Sequence, residues 1–143
     1  MRPLLGALVV LGVGCMPPPD CVARYGLAVY GSDACEEMGL YLDAAMGIKE
    51  PLLRTMSLDG WFVEVRPEPW YSEEHKYGIN GVTYCWAGKI VMNEITWRES
   101  TFIHEMIHVR ENCFERNHES WKARNIDALM VRAQEEVYNA VHN

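Results

Sequence analysis

The stretch Thr101-Phe102-Ile103-His104-Glu105-Met106-Ile107-His108 constrains this chain more than any other. Ile103, Met106 and Ile107, with Phe114 beyond them, recur at helical spacing and predict one core-facing stripe. His104 and His108 are four residues apart, so on a helix they are offset by about 40° and about 6 Å of rise and leave the same face. This is how one helix offers two imidazoles to one Zn²⁺, with nitrogens at about 2.0–2.1 Å. Glu105 lies on the adjoining face, where its carboxylate reaches a water on the metal without ligating the ion, as suits a general base. Thr96 and Glu99 have capping-box spacing, which predicts a helix start just upstream. The plain alternative is an amphipathic helix with His and Glu on a wet face. The apolar stripe, which puts the motif in mid-helix, counts against it.

A catalytic metal needs a third protein ligand and one open position. Glu111, Glu115, His118 and Glu119 follow the motif. Ligands drawn from one straight helix cannot surround an ion, so the third is expected on an element that folds back. Asn117 is a good N-cap and would put His118 in the first turn of a second helix. His118 is therefore preferred, with Glu119 next. His75 stands alone and reads as a surface residue.

Ile90-Val91-Met92-Asn93, the stretch 101–108, and then His118-Glu119-Ser120-Trp121-Lys122 together resemble the SprT-like zinc metallopeptidases. That family shows a strand, an HExxH helix, and a third histidine followed three residues later by an aromatic. The resemblance covers roughly residues 82–125, about a third of the chain. It implies His104, His108 and His118 as zinc ligands, Glu105 as the catalytic base, and a protein or peptide substrate. It also implies Ile90–Asn93 as the strand that offers its backbone to an extended substrate.

With 143 residues there is room for one domain with a modest core. A hydrophobic content of 49% and a charged content of 23% describe a globular chain. A formal charge of −7 argues against a nonspecific nucleic-acid partner. Residues 1–14 read as a lipoprotein-type signal peptide: Arg2 is followed by an apolar run too short to span a bilayer. Leu11-Gly12-Val13-Gly14-Cys15 resembles a bacterial lipobox and makes Cys15 the expected lipidation site. The expected location is the bacterial cell envelope, anchored by lipid, or otherwise the periplasm or medium. Met16-Pro17-Pro18-Pro19-Asp20 opens a Pro-rich tether assigned to residues 15–30, leaving 31–143 for the folded domain. With Cys15 lipidated, four cysteines remain and allow three connectivities, of which Cys21 with Cys35 and Cys85 with Cys113 is the one expected.

Ser32 or Asp33 can cap a first helix whose buried stripe is Met38, Tyr41, Leu42 and Ala45 and whose stop is Gly47. Trp61, Val63 and Val65 alternate as a strand, Val82, Tyr84 and Trp86 as a second, and Ile90 to Ile95 form a third. The last two are joined as a hairpin leading into the metal helix. Residues 70–80 read as a polar loop with aromatics that can overhang a site. From near His118, a final helix carries Trp121, Ile126, Leu129, Met130, Ala133, Val137 and Val141 on one stripe.

The expected fold is a small α+β zincin-like domain: an N-terminal helix, a three-stranded sheet, the HExxH helix and a C-terminal helix. The expected function is zinc-dependent hydrolysis of peptide bonds outside the cytoplasm, with Glu105 activating a water on Zn²⁺. Tyr84, Arg110 and Lys122 are candidates for steadying the oxyanion. The alternative is a non-catalytic, lipid-anchored binding or structural protein with a vestigial metal site.

Overall fold

The computed structural model describes residues 15–51, 53–55, 57–67, 70–72, 77–113 and 118–143. The chain is mixed α+β. Its strands are β1 (Cys21–Val22), β2 (Ala28–Tyr30), β3 (Phe62–Arg66), β4 (Trp70–Ser72), β5 (Tyr77–Ile79), β6 (Gly81–Tyr84) and β7 (Lys89–Asn93). Its α-helices are α1 (Cys35–Gly47), α2 (Phe102–Arg110), α3 (Glu119–Ala123) and α4 (Ile126–His142). The main sheet has five strands in the order β1-β2-β3-β7-β6, with β4 and β5 forming a separate antiparallel pair.

The expectation of three strands is corrected to five. Residues 21–30, expected within the tether, contribute β1 and β2, and Leu27 and Val29 are fully buried. Strands of two and three residues are too short to show an alternation, which is why the pattern missed them. The Cys21–Cys35 disulfide, with Cα atoms 6.1 Å apart, ties β1 to the start of α1.

Strands β2, β3 and β7 run parallel, while β6 pairs antiparallel with β7. The register aligns Val29 with Val63, Val63 with Ile90, and Ile90 with Thr83, so these side chains share one face. Val65, Met92 and Gly81 form the next row on that face. The strand valines, Ile90 and Met92 join Met38, Tyr41, Leu42 and Ala45 of α1, and Ile103, Met106 and Ile107 of α2, in a single core. Both helical stripes read from the sequence are therefore the buried ones. The opposite face carries Tyr30 edge-on to Phe62, with ring centroids 5.8 Å apart, and Glu64 ion-paired to Arg66 and Lys89.

Three local expectations change. Helix α1 starts after Ala34, and the Ser32 hydroxyl instead accepts the Ala34 N–H at 3.2 Å. No side-chain capping box forms at Thr96. A π-helical turn over Trp97–Thr101 leads into α2, and the Asn93 side-chain oxygen accepts the N–H groups of Ile95 and Thr96 at 2.8 and 3.3 Å. Asn93 thus closes β7 two residues earlier than expected. Third, the expected final helix is two: α3 ends at Ala123 and α4 starts after Asn125, whose φ is 57°. His75, Phe114, Glu115 and Asn117 lie outside the described residues.

Candidate metal centre

Helix α2 brings His104 and His108 onto one face, as their spacing demands, with ring centroids 5.0 Å apart. His118 comes from the residue just before α3, with φ 56°. The three histidines each turn one ring nitrogen to a common point, all within 4.8 Å of one another. Nε2 of His108 lies 3.2 Å from Nε2 of His104 and 3.0 Å from Nε2 of His118. Two nitrogens held at about 2.0–2.1 Å by one tetrahedral ion lie about 3.3 Å apart, so the spacing fits a shared cation. It fits poorly with three imidazoles merely hydrogen-bonded in a row, since the same His108 nitrogen faces both neighbours and has only one proton or one lone pair to offer.

The electrostatics agree with ligand duty. Burial, followed by the neighbouring His108 and His118 and opposed by Asp127, pushes His104 down to about 4. It is therefore neutral at physiological pH, the state in which an imidazole can ligate a metal.

Glu105 is 5% exposed and projects from α2 toward β6. The Thr83 hydroxyl donates to its Oε2 at 2.6 Å and lies 3.2 Å from its backbone oxygen. Gly81 lets this approach happen: a Cβ there would fall 2.9 Å from Glu105 Oε1. Burial pushes the Glu105 carboxyl up to about 7, against the Thr83 hydrogen bond, which pulls it down.

The strand alternation is the reverse of the apolar pattern. Gly81 and Thr83 face α2, as does Cys85, bonded to Cys113 just past α2. Trp86 is not in the strand at all. It sits in the 3₁₀ turn Cys85–Ala87 and is 88% exposed.

Strand β7 is hydrogen-bonded on both sides, by β3 and β6, so Ile90–Asn93 has no free backbone to offer. Among the described residues, β6 is the edge strand of this sheet beside Glu105.

Among the other ligand candidates, Glu111 is buried and committed elsewhere. It accepts the Trp121 indole N–H at 3.0 Å and pairs with Arg124. Glu119 is exposed on α3 and is not in the histidine cluster. Arg110 is buried with its guanidinium on the carbonyls of Arg54, Ala45 and Ile48 at 3.0, 2.7 and 2.8 Å, which locks α2 to the end of α1 and removes it from the oxyanion candidates. Lys122 is exposed, and Tyr84 lies edge-on to Trp86.

Trp121, which the sequence offers both as core stripe and as the aromatic three residues past His118, has its ring 5.0, 5.0 and 4.4 Å from the rings of His104, His108 and His118. Thr83 carried no signal beyond its place in a strand.

The second disulfide, Cys85–Cys113, has Cα atoms 6.2 Å apart and ties the end of β6 to the chain just past α2. Both pairings expected from the sequence are thus present. Cys15 is free and exposed. No helix among the described residues is long and apolar enough to cross a membrane. Compared with known proteins, the chain matches no family model, no curated protein and no solved structure.

Proposed function

We propose that this protein is a zinc-dependent peptidase of the SprT-like kind, acting on a protein or peptide outside the cytoplasm. The observation that carries the reading is the convergence of His104, His108 and His118 on one point, with the Glu105 carboxyl on the same helix. A donor set of three imidazoles suits Zn²⁺ among the common divalent ions. Zinc held there supplies a Lewis acid for the scissile carbonyl and lowers the pKa of a water toward about 7.

The chain's own residues do the rest. Glu105 takes a proton from the attacking water and passes it to the leaving amine. Thr83 holds Oε2, which leaves Oε1, beside Gly81, as the oxygen that takes the proton. Strand β6 is the edge on which an extended substrate can add a strand, and Gly81 and Thr83 on that strand touch Glu105. The two disulfides fit an oxidising compartment, and an exposed Cys15 is compatible with a lipid anchor in the bacterial envelope.

The test is metal content with peptide cleavage by the wild type and Glu105→Gln. Stoichiometric zinc, with cleavage reduced by roughly 10²–10⁴-fold in the variant, is expected. Purified protein without zinc, or equal cleavage by both forms, overturns the proposal.

The burial of Glu105 favours a second reading, a lipid-anchored binding or structural protein with a metal site that does not hydrolyse. It predicts zinc in both forms and cleavage in neither.

A further inference from the structure

The rings of the three histidines rest on one shared surface, the indole of Trp121, which is completely buried. A flat ring in van der Waals reach of all three imidazoles limits how each can tilt. The indole is packed into the core, and its one polar group, Nε1–H, donates to Oε2 of Glu111 at 3.0 Å, which sets the direction the ring faces.

Glu111 is itself immobilised. Its side chain is 3% exposed, and its other oxygen pairs with Nη1 of Arg124, while Nη2 of Arg124 pairs with Glu50. The chain of contacts therefore joins three places: residue 50 just beyond α1, residue 111 just beyond α2, and α3 with the residue that follows it. A buried carboxylate is costly unless its oxygens are paired or hydrogen-bonded, and here both are.

Trp121 is tied to His118 through the main chain as well, because the Trp121 backbone N–H donates to the His118 carbonyl at 3.2 Å across the first turn of α3. His104 and His108 need no such help, since α2 fixes their spacing. His118 is the ligand whose position depends on something outside its own helix.

We propose that Glu111 is a positioning residue for the metal centre, holding Trp121 so that His118 meets the other two imidazoles. This rests on the metal-site reading given above and adds to it the group that completes the site. Glu111 touches neither metal nor substrate in this scheme. It acts through the indole, in the way outer partners commonly orient metal ligands.

The test uses zinc itself, measured by competition with a chromophoric chelator, and the visible absorption of the cobalt(II)-substituted protein. Glu111→Met removes the acceptor, and Trp121→Phe keeps a ring but removes the donor. Each is expected to weaken zinc binding by about 10- to 100-fold and to alter the cobalt band intensity. In a His118→Ala background the same changes are expected to cost little more affinity, because the ligand they position is already gone. A variant with wild-type zinc affinity and cobalt spectrum, or a loss that simply adds to that of His118→Ala, overturns the proposal. A lower melting temperature alone, with unchanged zinc affinity, makes the network structural and likewise overturns it. Wild-type protein that binds no zinc sinks the metal site first and this inference with it, an outcome distinct from zinc binding that ignores Glu111.

Discussion

His104 and His108 reach the metal centre from inside a regular helix, whereas His118 reaches it from a segment of irregular backbone. On the α2 side, the 3.6-residue period alone sets both rings on one face. On the other side, Asn112, Cys113, His118 and Asn125 all have positive φ, from 52° to 57°. Left-handed backbone in residues other than glycine costs about 1–3 kcal/mol at each position and persists only where surrounding contacts hold it. Here those contacts are the Cys85–Cys113 disulfide and the Trp121–Glu111–Arg124–Glu50 chain. One half of the site is thus encoded locally. The other half depends on tertiary contacts.

The largest effect expected is on the local half. His108→Ala should abolish measurable zinc binding, since Nε2 of His108 is the one that neighbours both other rings at 3.0–3.2 Å. His118→Ala should weaken binding more than the 10- to 100-fold typical of an outer partner, yet leave the α2 pair able to hold a metal loosely. Isothermal titration of the two variants separates them. Equal affinities would mean that the two halves contribute alike and that the contrast drawn here is wrong.

The two disulfides differ in how near they lie to the irregular half. Closing loops of 14 and 28 residues, they should each contribute about 3–4 kcal/mol of stability in the chain-entropy account. Replacing either pair by serines should therefore lower stability to denaturant by a similar amount. Only the Cys85/Cys113 pair should also lower zinc affinity. Cys113 lies five residues from His108 and five from His118, and its N–H bonds to the His108 carbonyl at 2.9 Å. If loss of Cys21–Cys35 weakened zinc binding as much, the irregular segment would not be what that second disulfide holds.

The same division explains what could be read from the sequence. The HExxH face, the α1 stripe and the β6–β7 hairpin were legible, because each rests on a short-range period, while the four cysteines narrowed the disulfides only to three connectivities. Strands β1 and β2 were not, since too few residues carry their alternation. The inward orientation of Thr83 was not either, because the apolar positions Val82 and Tyr84 pointed to the other face. Glu111 looked like a ligand from its spacing to His108. Only the fold shows that Trp121 and Arg124 claim both of its oxygens.

A third prediction concerns the two buried titrating groups of α2 in the metal-free protein. Glu105, raised from its usual 4.5 to about 7, contributes stability that is present below pH 4.5 and lost as pH rises toward 7. His104, lowered from 6.5 to about 4, contributes stability that is present above pH 6.5 and lost as pH falls toward 4. Each amounts to about 3 kcal/mol, and between pH 4.5 and 6.5 the two slopes oppose each other. Glu105→Gln removes the first. The chelator-treated variant should then lose about 3 kcal/mol between pH 6.5 and 4, while the wild type changes little over the same range. Parallel urea-unfolding curves for the two forms across that range would show that Glu105 does not titrate in this window.

The smallest effect expected is at Thr83, the contact by which β6 reaches into the α2 half. Thr83→Val keeps shape and removes the hydroxyl that donates to Glu105 at 2.6 Å. A hydrogen bond to a charged group contributes about 1.5–3 kcal/mol, so the loss should be felt most in the ionised state of Glu105. Because that hydrogen bond pulls the Glu105 carboxyl down, its removal should move the carboxyl further up. The acid limb of kcat/KM for peptide cleavage should therefore shift to higher pH. Activity at the top of the profile should fall by less than in Glu105→Gln, and zinc affinity should not change, because Thr83 touches none of the three histidines. An unshifted acid limb would show that the proton-accepting group is not the carboxyl that Thr83 holds. The base would then have to be sought on the irregular side of the site.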